Sequence, residues 1–127
     1  FHIDVGAPFP LTVDRLEEYL KEHGVEVIAR IDHAAAAKKK GLELRPTQVL
    51  VFGNPAVGTK LMQSGPSVAL DLPLRVAVWQ EADSTVWVGY DDIAETAGKH
   101  GITDQAATVK AMKEALTKAL AHATNPY

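Results

Sequence analysis

Asp32 and His33 stand together at the end of an apolar run, and their types suit proton transfer. A histidine titrates near neutral pH, so His33 fits general acid–base work with a carboxylate to orient it. Neighbouring side chains point apart in both strand and helix, so Asp32 serves better as the cap of a following helix. Asp71, Asp91 and Asp92 are the acids that could meet His33 from elsewhere in the chain. Asn54 opens a second candidate. Gly53-Asn54-Pro55 turns an apolar strand straight into a helix, whose first N–H groups could cradle an anion, with Gly58 allowing close approach. Asn54 also fits a plain helix cap, and the turn lacks the glycine-rich, Lys-Ser/Thr pattern of phosphate loops. Trp79 and Trp87 form the third candidate. Beside Ala77 and Gly89 they make an apolar platform that reads as core under a helix, as a subunit interface or as a pocket for a flat ligand.

Other chemistries lack residues. The chain has no cysteine, which removes disulfides, thiol catalysis and thiolate metal sites. The five histidines show no metal-ligand spacing, so no metal and no cofactor is expected. No Gly-x-Ser-x-Gly elbow occurs, and Ser64, Ser67 and Ser84 sit near turns with no motif that supports serine catalysis. His23 and His100 each precede a glycine, as at helix C-termini. Lys38-Lys39-Lys40 is the only basic cluster and fits the negative end of a short helix. With a net charge of −3 there is no basic stripe for nucleic acid. No apolar run approaches the roughly 20 residues that span a membrane. No signal peptide is visible. The chain starts at Phe1 rather than Met, which leaves room for a removed leader, and the cytoplasm is the default compartment.

The elements that must position these residues follow from periodicity and punctuation. The 127 residues suffice for one domain, residues 1–127, with a core of its own. His2–Val5 alternates as a strand. A helix from Pro10 to Gly24 carries Val13, Leu16 and Leu20 on one face. Val25–Ile31 reads as a strand with Val25, Val27, Ala29 and Ile31 sharing a face. Asp32 caps a short helix that Gly41 stops. Val49–Phe52 is apolar at every position, as in a strand covered on both faces, or on one face plus a partner. A helix opened by Asn54-Pro55 ends at Gly65-Pro66. Leu74–Gln80 and Thr85–Tyr90 form a hairpin that sets Trp79 opposite Trp87, with Val76, Val78, Val86, Val88 and Tyr90 on the other face. Asp92 and Glu95 open a short helix to Gly98. A last helix from Asp104 to His122, capped by Thr103, buries Val109, Met112, Leu116, Ala119 and Leu120. Asn125-Pro126-Tyr127 reads as a loose end.

Several separated blocks carry a resemblance to a known family. Thr12-Val13-Asp14-Arg15-Leu16, Ile31-Asp32-His33, Gly53-Asn54-Pro55, Gly58-Thr59, Met62-Gln63, Leu70-Asp71-Leu72-Pro73-Leu74, Trp79, Tyr90 and His100-Gly101 together resemble the prokaryotic domain of unknown function 302. The resemblance implies an α+β two-layer sandwich, strand–helix–four strands–helix with short extra helices and a mainly antiparallel sheet, often dimeric. It implies no reaction. One region departs from the family's pattern: after Tyr90 the family tends to run Asn-Asp-Pro into apolar residues, where this chain has Asp91-Asp92-Ile93-Ala94-Glu95-Thr96.

The expectation is a small, non-enzymatic α/β module that binds a small molecule, an anion or a partner as a homodimer, with His33, Asn54 and Asp71 around the ligand. The alternative is a small enzyme using His33 with Asp71, Asp91 or Asp92.

Overall fold

The computed structural model describes residues 2–5 and 8–124. The expected end at Asn125-Pro126-Tyr127 lies outside them. Five strands form one antiparallel sheet: β1 (His2–Val5), β2 (Glu26–Asp32), β3 (Thr47–Gly53), β4 (Leu74–Gln80) and β5 (Val86–Tyr90), in the order β1-β5-β4-β3-β2. Between them run α1 (Phe9–Glu22), α2 (His33–Lys39), α3 (Pro55–Ser64), a 3-10 helix (Pro66–Asp71), α4 (Ile93–Lys99) and α5 (Ala106–Ala123). This is the α+β sandwich expected.

Binary patterning decides the layers. Leu50 and Phe52 of β3, Val76 and Val78 of β4, and Val86 and Val88 of β5 are buried against Val13, Leu16 and Leu20 of α1 and Leu116, Ala119 and Leu120 of α5. Both long helices therefore cover one face. The opposite face carries Val49, Val51, Ala77, Trp79 and Trp87, none of them fully buried. Trp79 and Trp87 are directly paired across the hairpin, as expected. The reading of this pair as core under a helix fails, because the two long helices pack on the other face.

Edge strand β2 departs from simple alternation. A bulge between Val27 and Ala29 leaves Ile28 54% exposed. Val27 pairs with buried Phe52 and packs on the core, whereas Ala29 and Ile31 pair with Val51 and Val49 of the open face. The single face expected for these residues is thus split by one extra residue. Arg30 opposes Leu50 and reaches α1, where its guanidinium donates to Asp14 at 2.8 Å and Glu17 at 3.0 Å.

Helix ends follow the punctuation. Gly24 and Gly41 adopt positive φ after α1 and α2, and their successors donate back to Leu20 and Ala37. That is the left-handed cap geometry in which glycine is unstrained. Gly101 does the same for α4, which runs one residue past Gly98 before the cap at His100. α5 starts two residues later than expected, and Gln105 rather than Thr103 stands at its cap position.

Gly65 has a steric role. A Cβ there would lie 2.8 Å from Ile102 Cγ1 and 3.0 Å from the His100 carbonyl. The missing side chain lets the end of α3 sit against the α4–α5 connection. A second small core of Leu61, Val68, Ala97 and Ile102 fills that junction.

Candidate functional site

A cleft of about 830 Å3 lies at the C-terminal end of β3. One wall is α3 with Gly58, Thr59, Lys60 and Met62. The other is α5 with Thr108, Ala111, Met112 and Ala115. Phe52 and Leu74 of the sheet and Leu72 close the floor. The sequence builds the space from small residues. Gly58 has no side chain, and its Cβ position is 3.9 Å from Leu72 and Met62, so room remains in front of it. Ala107, Ala111 and Ala115 recur at four-residue spacing and so line one face of α5. The flexible Met62 and Met112 side chains line an adaptable wall.

Asn54 lies at the mouth of this cleft. Its Oδ1 accepts from the Ala56 N–H at 3.1 Å, which caps α3. Its Nδ2 makes no hydrogen bond with any described residue. Lys60 on the next turn of α3 has no ion pair with a described residue. The cleft is thus mostly apolar, with an amide donor and a cation along α3 and the Glu26 carboxylate on β2 among its polar groups.

His33 is not part of this site. It is exposed at the start of α2, just after Asp32, which pairs with Gln48 at the other end of β3. Six residues of extended chain, about 20 Å at the β-strand rise, separate Gln48 from Asn54. The three expected ligand residues therefore do not share one pocket. The His33 side chain makes no hydrogen bond or ion pair with a carboxylate among the described residues. Asp32 caps α2 through Ala35 N–H at 2.9 Å and accepts from Gln48. Asp91 and Asp92 follow Tyr90, which pairs with Val76 near the start of β4, and so lie at the Asn54 end. Asp92 caps α4 and pairs with Lys113 at 3.8 Å.

Asp71 sits at the end of the 3-10 helix and turns to a different partner. Its Oδ2 lies 2.5 Å from His100 Nε2 and 3.6 Å from Lys99 Nζ. The hydrogen bond from His100 is the main cause that holds its carboxyl below the ordinary value, with the Lys99 charge adding to it against partial desolvation. The other ring nitrogen of His100 lies 2.8 Å from Ser67 Oγ. Sequence reasoning missed this contact, because 29 residues separate Asp71 from His100. The only local signal was a histidine before a capping glycine. Among the described residues, no group of three or more His, Asp or Glu could hold a metal ion.

The sequence matches the domain of unknown function DUF302 over residues 1–123. The chain belongs to that family. A crystal structure of an uncharacterized conserved DUF302 protein from Bacillus stearothermophilus superposes with a TM-score of 0.84 over 97% of this chain and 96% of that one. At 23% identity that likeness establishes the DUF302 fold and nothing more. Among curated proteins, the fluoride-specific ion channel FluC 1 of Brucella suis biovar 1 (strain 1330) is 41% identical over 91 residues, 72% of this chain and 36% of that protein. FluC 2 of Brucella melitensis biotype 1 is 41% identical over the same length, 34% of its own. This DUF302 chain thus spans about a third of the curated relatives it matches. No helix among its described residues is long and apolar enough to cross a membrane.

Proposed function

We propose that this DUF302 chain is a ligand-binding domain, and that its cleft takes a small apolar molecule carrying an anionic end. The cleft itself carries the reading. Its volume of about 830 Å3 falls in the range of about 300–1,000 Å3 that holds drug-sized ligands. Its lining matches such sites, mostly apolar with a few placed polar groups. The Asn54 amide and the Lys60 ammonium suit a carboxylate or sulfonate at one end of the ligand. The enzyme built on His33 loses its support, since the Asp71, Asp91 and Asp92 positions all lie at the other end of the sheet.

Binding of anilinonaphthalene sulfonate, an apolar anion, tests this reading. Gly58→Phe would place a ring in the cleft, since a Cβ there meets only ordinary contacts. The expected result is probe affinity weakened by roughly tenfold or more with the melting transition retained. Equal affinity in the folded variant would contradict it.

A second reading concerns association. The half-exposed Val49, Val51, Ala77, Trp79 and Trp87 and the 42% exposed Ile31 favour burial against a second copy of the chain, as apolar patches on a sheet do. The curated relatives are named as channels, and no helix among the described residues of this chain is long and apolar enough to cross a bilayer.

A further inference from the structure

Ser67, His100 and Asp71 form a hydrogen-bonded line apart from the cleft. The His100 side chain is 8% exposed, so its ring is fixed between two partners. An ionised carboxylate only accepts, so the proton on His100 faces Asp71 from Nε2. With the ring neutral, that tautomer leaves a lone pair on Nδ1, into which Ser67 donates its O–H at 2.8 Å. The serine hydroxyl is thus aligned for deprotonation by a histidine whose far side is held by a carboxylate. Ser67 itself is exposed and can be reached. A second feature points to what it would meet. A 3-10 helix has three residues per turn, so Leu70 eclipses Ser67. Leu70 is 83% exposed, an apolar surface beside the hydroxyl.

We propose that Ser67 is a nucleophile for short-chain acyl esters, with His100 as general base, Asp71 as its positioning residue and Leu70 as the surface for the acyl chain. Ser67 Oγ bonds to the acyl carbonyl carbon while its proton passes to His100 Nδ1. The bond from carbon to the leaving oxygen breaks, and that oxygen takes the proton from Nδ1. Water then attacks the acyl-serine and gives a proton to Nδ1. The carboxylic acid departs as the proton returns to Ser67 Oγ. Asp71 stabilises the imidazolium at each stage without becoming protonated. His33 takes no part. Gly65 is a positioning residue for the group, because its missing Cβ lets the Ser67 segment approach the His100 carbonyl.

A fluorophosphonate probe followed by peptide mass mapping, together with hydrolysis of p-nitrophenyl butyrate and acetate, tests the proposal. The wild-type chain is expected to label at Ser67 and to hydrolyse butyrate. Ser67→Ala should abolish both. His100→Gln should slow hydrolysis by about 100-fold or more, the usual scale for a lost general base. Asp71→Asn should lower kcat and move the pH profile. Leu70→Ala should raise KM for butyrate more than for acetate. Each variant is checked for a native melting transition. Because Ser67 is exposed, its alanine variant is the decisive one. Wild-type chain that neither labels nor hydrolyses, or folded Ser67→Ala that reacts as the wild type does, would overturn the proposal.

Discussion

Asn54 and Asp71 share one end of the sheet and show how differently two residues can declare themselves. The role of Asn54 in the helix is local. An asparagine before Pro55 is readable as a cap, and Asn54 Oδ1 accepts the Ala56 N–H. Asn54→Ala should lower stability by about 1 kcal/mol in denaturant unfolding. If its Nδ2 also serves the ligand, the same variant should weaken probe binding. Asp71 was legible as polar residue at a segment end, but its partner was not. The contact with His100 depends on how Gly65 seats the 3-10 helix against α4, which no local pattern encodes. Ser67 reads in sequence only as a residue near a turn, for the same reason. The lowered value of Asp71 fixes a pH dependence. A carboxyl that is more acidic in the folded state stabilises above its unfolded value near 4 and loses that contribution as pH falls through the folded value. Asp71→Asn should therefore melt below the wild type at neutral pH. The two melting curves should converge in acid below about pH 4. A difference that persists unchanged in acid would assign the loss to packing rather than charge.

Elements were more legible than contacts. Each strand and each of the five α-helices was anticipated, since caps, glycines and two periodicities agree along the chain. The 3-10 helix escaped because six residues between Gly65 and Leu72 give too short a window for a period. The bulge in β2 escaped because an alternating run cannot show which residue is extra. Arg30 is instructive here. A charge facing the helix layer from an edge strand is held by Asp14 and Glu17, and such inward charges discourage edge-to-edge pairing. Glu17 in turn is held below its ordinary value by its hydrogen bonds to Arg30 and then Lys21. At the junction of α3 and α4, Gly65→Ala should destabilise by about 1–3 kcal/mol, the usual scale of overpacking. Thermal or denaturant unfolding checks it. Unchanged stability would mean that the connection around Ile102 can give way.

At the scale of the whole molecule, the sheet is sealed on one side and left apolar on the other. Two long helices cover Leu50, Phe52 and the four inward valines of the hairpin, while Trp79 and Trp87 face outward. The stretch Val49–Phe52, apolar at every position, suits a second copy on the open face, since the helix layer covers only one of its two apolar faces. Trp79→Glu should leave the core intact and shift the chain to monomer in light scattering. A wild-type chain already monomeric at high concentration would remove the dimer reading. The cleft was the least legible feature: Gly58 reads as allowing close approach to the start of its helix, but the three alanines and two methionines that complete the lining read as ordinary helix. Amide NMR of the wild-type chain titrated with anilinonaphthalene sulfonate locates the bound ligand residue by residue. Binding in the cleft predicts that Gly58 and Met62 on α3 shift together with Ala111 and Ala115 on α5, with a saturable curve. Shifts confined to Trp79, Trp87 and their neighbours on the open sheet face, with α3 and α5 silent, would contradict it.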